Sequence, residues 1–272
     1  MPFLWKKAEI FHFIKKLEEI INDLEEDLRN GTWKDKKYSS IDLDLMPYLV
    51  KQANDKNKDL NLSLVNNPID LPDAIKNKLN HCVDSSRFII IGGKGGVHFS
   101  VVDCRKINDK IYLVLFESYN FNHSGVEFSM RRVVEEIIFQ QESSDWHFSI
   151  MDMDIQRSRS ECGIFSLAIA KKLHKDNEKL LKMHTENISG LTPDNGRFLS
   201  PTEVDRYLPV SCYKHTQSRI RLDLYLSKNK EAKNAIVNKK ILILLPDSTK
   251  TYLLQVMQII RGNPFQYTKK ES

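Results

Sequence analysis

The stretch "RFIIIGGKGGVHFSVVDCRKINDKIYLVLFES", residues 87–118, decides the fold. It holds three apolar runs, 87–91, 97–104 and 111–117, separated by a glycine-rich break and by Asn108-Asp109. Short runs rich in Ile, Val, Phe and Tyr between turn residues read as consecutive antiparallel strands, and strands this apolar belong at the centre of a sheet. "GGKGG" lacks the spacing and the Lys-Ser/Thr ending of a phosphate-binding loop, so it reads as a turn. Asn and Asp tolerate positive φ, so Asn108-Asp109 suits a two-residue hairpin turn. That turn sets a register: Ser100 falls opposite Glu117 and His98 opposite Tyr119. His98 and Glu117 then share a face as diagonal neighbours, whereas a three-residue turn would put them on opposite faces.

Working outward, "WHFSIMDMDIQ" (146–156) reads as a fourth strand, and residues 163–182 as a helix apolar nearly all round over its first turns, hence buried. A helix is expected over 125–142. Upstream, "SSIDLDLMPYLVKQANDKN" reads as a helix and "LNLSLVNN" as a short strand. Ile10, Phe13, Ile14, Leu17, Ile20, Ile21, Leu24 and Leu28 recur at helical spacing and mark an amphipathic helix ending at Asn30-Gly31. After residue 183 the texture turns polar and proline-punctuated, then basic and largely helical. The expected organisation is an N-terminal amphipathic helix over 1–36, a core over 37–182, a basic helical subdomain over 183–240 and a final segment over 241–272, the second of which carries the candidate catalytic residues below and the third of which the family resemblance below makes regulatory. The fold class is α/β (α+β), with a central mixed sheet.

Composition excludes several classes. A balance of 41 basic against 36 acidic residues, dispersed along the chain, makes no case for nucleic-acid binding. Four cysteines lie far apart with no C-x-x-C pair, so neither a disulfide framework nor a zinc site is suggested. No uncharged apolar stretch reaches the length of a membrane span, and Lys6, Lys7, Glu9, Lys15 and Lys16 interrupt any signal-peptide-like run.

The chemistry centres on "QRSRSECGIFSLAIAKKL" (156–173). A cysteine at the first turn of a helix has its thiolate favoured by the exposed N–H groups and the helix dipole, as a nucleophile requires. Gly163 is expected to let substrate approach the sulfur. A lone buried cysteine is ordinary core, so Cys162 needs a base. His98, interrupting an apolar strand beside Ser100, is the best placed of eight histidines. Glu117 closes "IYLVLF" within reach of it, able to fix the imidazole tautomer and stabilise its charged form. Gln156 supplies an amide for an oxyanion at the same acyl carbon. A thioester and an isopeptide are attacked through the same geometry, so the triad by itself leaves acetyl transfer and proteolysis both open.

"VHFSVVD", "VLFES" and "DIQRSRSECGIFSLAIAKKL", with "DRYLPVSCYKHTQ" further on, closely resemble the YopJ-type family of bacterial type III secreted effectors from about residue 20 to residue 240. The resemblance implies a core like that of ubiquitin-like-protein proteases, turned to acetyl transfer from acetyl-coenzyme A to Ser, Thr or Lys. It assigns His98, Glu117 and Cys162 to the triad and Gln156 to the oxyanion site. It implies activation by inositol hexakisphosphate, host signalling proteins such as MAP kinase kinases as partners, and export by a type III system into the host cytosol. Arg206, Lys214, His215, Arg219, Arg221, Lys239 and Lys240 concentrate the donors a polyphosphate needs. The end of the chain, "ILILLPDSTKTYLLQVMQII", departs from the polar sequence usual in the family. Two alternatives therefore stand beside the acetyltransferase: a protease on ubiquitin-like conjugates, and a catalytically impaired protein that binds host partners.

Overall fold

The structure is a computed structural model. It describes residues 7–32, 39–81, 83–92, 97–120, 145–157, 161–176, 180–181, 183–184, 197–234, 236–237 and 240–241. The chain divides into two compact units, one of Tyr38–Leu244 and one of Met1–Lys37 with Leu245–Ser272. Residues 183–240, expected as a subdomain, fall inside the larger unit, because their described segments pack on the sheet and its loops.

In the smaller unit, α1 (Lys7–Asn30) is the helix expected from the N-terminal periodicity. It stops at Gly31, whose φ of +72° is the left-handed cap conformation open to glycine at little cost.

The larger unit is built on one mixed sheet in the order β1-β2-β3-β4-β5-β6. Its strands are β1 (Leu62–Val65), β2 (Ser85–Gly92), β3 (His98–Ile107), β4 (Lys110–Glu117), β5 (Trp146–Asp152) and β6 (Arg197–Leu199). β2, β3 and β4 are antiparallel, while β1, β5 and β6 run parallel to their inner neighbours. The three strands read from residues 87–118 are therefore the centre of the sheet. The turn joining β3 to β4 is the two-residue one: Ile107 pairs with Lys110, and Asn108 and Asp109 take φ values of 51° and 62°. This double positive φ matches the twist of the flanking strands.

Both faces of the sheet are covered. On one, Phe88, Ile90, Val102, Cys104, Leu113, Leu115, Phe148 and Ile150 form a cluster with Leu71 and Ile75 of α3 (Leu71–Asn80). The alternate residues Ile89, Val101, Phe116 and Met151 are buried as well. α2 (Ser39–Lys56) and α4 (Cys162–Lys175) pack together, and α4 crosses β2, β3 and β4. Each large apolar side chain so buried contributes roughly 1.5–3 kcal/mol, which explains why the central strands read as continuous hydrophobic runs. α3 and β6 went unread in the sequence. Leu71, Ile75 and Leu79 of α3 do stand one helical turn apart, but the helix is only ten residues long, and β6 is three residues long.

A buried charged cluster pins the middle of the sheet. The Asp103 carboxylate accepts from Arg87 Nε at 2.8 Å, Arg105 Nε at 2.9 Å and His184 Nε2 at 2.8 Å. Burial opposes ionisation of Asp103, but the His184 hydrogen bond and the two guanidinium groups outweigh it and hold its carboxyl well below the usual range.

Beyond the sheet, α5 (Pro201–Val204), a 3-10 turn over Val210–Tyr213 and α6 (Arg219–Lys228) form a shorter and less regular array than the largely helical stretch expected. β7 (Ile236–Val237) and β8 (Lys240–Ile241) make a separate two-stranded ladder. The helix expected over 125–142, the "GKGG" of the turn at 93–96 and Cys82 lie outside the described residues. No helix among the described residues is long and apolar enough to cross a membrane.

Candidate active site

The β3–β4 hairpin delivers the first two groups. The ladder ends with Val101 opposite Phe116, and the same register carried one step further sets Ser100 against Glu117, with His98 and Glu117 diagonal on one face. His98 Nε2 is 2.8 Å from Glu117 Oε2, and Ser100 Oγ donates to the same oxygen at 2.7 Å. Glu117 Oε1 accepts from the Tyr119 backbone N–H at 3.0 Å. Three donors thus hold a carboxylate that is wholly buried, which is the condition for keeping such a charge out of water.

With Nε2 engaged by the carboxylate, Nδ1 is the imidazole nitrogen left for a second partner, and the Cys162 sulfur lies within hydrogen-bonding contact of the ring. Burial works against the charged imidazole. The Glu117 carboxylate and the Cys162 sulfur overcome that, so the His98 pKa stands well above its ordinary value. The arrangement favours an imidazolium beside the Cys162 sulfur, the protonated form of the base that a cysteine nucleophile needs.

Cys162 opens α4 and is 2 % exposed. Its N-cap residue Glu161 makes no side-chain capping bond to the leading N–H groups of the helix. Cys104 and Cys212 differ in kind: burial first, then the acidic neighbours Asp103 and Asp176 respectively, push each thiol up to about 12. They are inert core groups at neutral pH.

Gln156 is tied to the end of β4 because the backbone keeps pairing after β5 ends. Met153 N–H bonds the Glu117 carbonyl, and both Ile155 and Gln156 N–H groups bond the Ser118 carbonyl. Ser118 Oγ donates to Gln156 Oε1 at 2.7 Å, which fixes the orientation of the amide.

Gly163 has a packing role that the sequence did not reveal: a Cβ built there falls 2.8 Å from Asp42 Cγ, so the missing side chain makes room for α2 against the start of α4.

The basic residues separate into distinct environments. Arg206 is exposed, Lys214 and His215 are half-buried, and exposed Arg219 pairs with Asp223. Burial first, then Lys214 and Lys172, lower the His215 pKa to about 4. These three form a small cationic group whose α4 member, Lys172, the sequence did not single out. Arg221 is turned inward, unlike the surface donor expected. It is buried and donates to the Asp205 carboxylate at 2.7 and 3.0 Å, to Met153 O and to Pro201 O. Lys239 lies outside the described residues, and Lys240 is placed only by its backbone in β8. The described residues contain no cluster of metal-ligating side chains.

Ser100 and Ser118 serve the site without having been assigned roles from sequence. Their only signal was position, each one register step from a named residue.

Comparison with known proteins identifies the family and the fold. The family described as YopJ Serine/Threonine acetyltransferase matches residues 17–269, running through the C-terminal segment expected to diverge. The chain is 48 % identical over 226 residues to the serine/threonine-protein acetyltransferase YopJ of Yersinia pestis, covering 83 % of this chain and 78 % of that protein. The Yersinia pseudotuberculosis protein of the same name gives the same identity and coverage. A solved structure of an AvrA deletion variant with IP6 and CoA superposes with a TM-score of 0.81 at 36 % identity, covering 91 % of this chain and 98 % of that one. A HopZ1a complex with IP6 and CoA shares the fold, at a TM-score of 0.66 and 16 % identity, covering 91 % of this chain and 98 % of that one. With a family match spanning nearly the whole chain and a relative close to half identical, this chain belongs to the YopJ Serine/Threonine acetyltransferase family.

Proposed function

We propose that this protein transfers acetyl from acetyl-coenzyme A to hydroxyl or amine side chains of host signalling proteins through Cys162. The observation that carries the reading is the interaction of Cys162 with an imidazole whose Nε2 is held by a buried carboxylate. His98 takes the Cys162 proton, and the sulfur attacks the thioester carbonyl. Gln156 and the leading N–H groups of α4 hold the oxyanion. As the carbon–sulfur bond to coenzyme A breaks, His98 returns the proton to the leaving thiolate. In the second half His98 accepts the proton of the acceptor hydroxyl or amine as its oxygen or nitrogen attacks acetyl-Cys162, and the cysteine thiolate leaves.

Coenzyme A and IP6 in the AvrA and HopZ1a complexes support acetyl-coenzyme A as co-substrate and inositol hexakisphosphate as activator. In this chain Lys214 and His215, joined by Lys172, are the described residues whose donors suit a polyphosphate. Arg206 stands exposed for the same role and Arg221 does not. Resemblance to type III effectors supports action in the host cytosol, with MAP kinase kinases as the class of target.

Intact-mass spectrometry of the purified protein with acetyl-coenzyme A, with and without inositol hexakisphosphate, tests this reading. A one-acetyl increment that requires both Cys162 and the inositol phosphate is expected. Absence of any increment under all conditions, or an increment of equal size in Cys162→Ala, overturns it. Cleavage of a ubiquitin-like conjugate without acetyl uptake would make the protein a protease instead.

A further inference from the structure

Between β5 and α4 the chain has to place two groups at once, the Gln156 amide and the Cys162 sulfur. Gln156 lies past the last ladder residue of β5, and the N-cap residue of α4, Glu161, makes no side-chain capping bond. The two are joined by a residue from much later in the chain. Gln217 donates its backbone N–H to the Ile155 carbonyl at 2.7 Å and accepts the Arg157 N–H on Oε1 at 2.6 Å. Its Nε2 donates to the Glu161 carboxylate. Thr216 Oγ1 adds a bond to the same Ile155 carbonyl at 3.3 Å. One residue therefore grips both neighbours of Gln156, Ile155 through its backbone and Arg157 through its side chain, and the same side chain holds the residue directly before Cys162.

A glutamine suits this work because one end of its amide accepts and the other donates, so it satisfies a backbone N–H and a carboxylate together. The carboxylate matters electrostatically. Glu161 is fully buried at the N-cap of α4. Negative charge there draws on the same helix N-terminal field that favours the Cys162 thiolate. The charged groups around the sulfur are His98 on β3 with Glu117 behind it on β4, Asp42 of α2 against Gly163, and Glu161 itself. A hydrogen bond from Gln217 offsets part of the Glu161 charge at its source.

We propose that Gln217 is a positioning residue for both catalytic groups: it fixes the segment that carries Gln156 and moderates the field of Glu161 at Cys162. This rests on the reading of Cys162 as the nucleophile.

The test is the rate of Cys162 alkylation by iodoacetamide between pH 5 and 9, read by peptide mass mapping, which needs no acetyl-coenzyme A. Gln217→Met keeps the length of the side chain and removes its amide. It is expected to slow alkylation at pH 7 about tenfold and to move the midpoint of the profile upward by about one unit. Adding Glu161→Gln should return the midpoint toward that of the parent, and Glu161→Gln alone should move it downward. A parental profile in Gln217→Met, or uniform slowing with an unmoved midpoint, overturns the proposal. If Gln217→Met does not fold, Glu161→Gln alone decides, and an unmoved midpoint there overturns it equally. A parent protein whose Cys162 reacts no faster than an ordinary thiol sinks the nucleophile reading along with this one, whereas a reactive parent with unaffected variants sinks this one alone.

Discussion

His98 Nε2 and Glu117 Oε2 lie 2.8 Å apart across a hairpin although nineteen residues separate them in the chain. The two-residue Asn108-Asp109 turn makes this possible, because the pairing sum it sets runs the length of the ladder. The same bond sets the chemistry, since a buried carboxylate on one imidazole nitrogen is what sustains positive charge beside the Cys162 sulfur.

Removing that carboxylate should expose its contribution. Glu117→Gln is expected to lower the His98 pKa, because the Glu117 charge is the largest influence raising it. Acetyl transfer should fall by between roughly 10² and 10⁴-fold with the fold intact. NMR titration of His98 and initial rates check both halves. An unmoved His98 titration would show that the carboxylate does not govern the base.

Ser100 is predicted to matter through Glu117 alone. Ser100→Ala deletes the 2.7 Å bond to Oε2 and leaves a buried carboxylate short of a donor, which costs about 1–3 kcal/mol. Urea unfolding should show this loss, with acetyl transfer reduced far less than in Glu117→Gln. Equal loss of activity in the two variants would place Ser100 in the chemistry itself.

Gly163→Ala separates packing from substrate access. The added methyl would meet Asp42, so a loss of about 1–3 kcal/mol is expected, with partial recovery in Gly163→Ala/Asp42→Ala. If stability is untouched while activity falls, the glycine serves substrate entry after all.

Asp103 should dominate the acid sensitivity of the sheet. A carboxyl with a depressed folded pKa gives stability that is present above its unfolded value, about 3.9, and is lost as pH falls through the folded value. Asp103→Asn is therefore expected to cost roughly 3–5 kcal/mol at pH 7 by leaving two buried guanidinium groups uncompensated. The deficit should shrink progressively below about pH 4. Urea midpoints at pH 7 and pH 3 measure it, and a deficit that does not change with pH would contradict the ionic account.

His215 supplies a signature for polyphosphate binding. With its pKa lowered to about 4, it is neutral in the free protein at pH 6, and an anion beside it would raise that value and draw in a proton. Calorimetric titration of inositol hexakisphosphate at pH 6, in two buffers of different ionisation enthalpy, should give different heats in the parent and more nearly equal heats in His215→Asn. Equal heats in the parent would place the ligand elsewhere.

The sequence determined the local and periodic features. Alternation and apolar runs marked β2, β3 and β4, the Asn-Asp pair set their register, and Gly31 ended α1, because each depends on residues within a few positions of one another. The register alone put His98 beside Glu117. Family motifs extended that to Cys162 and Gln156, which no local pattern joins to the hairpin. Tertiary structure decided the rest. It set Gly163 against Asp42, turned Arg221 inward to Asp205 and gave Lys172 to the cationic group. It also brought Gln217 across 56 residues to Glu161. Such contacts join segments whose spacing in the chain carries no period, and only packing of the helices and loops around the sheet brings them together.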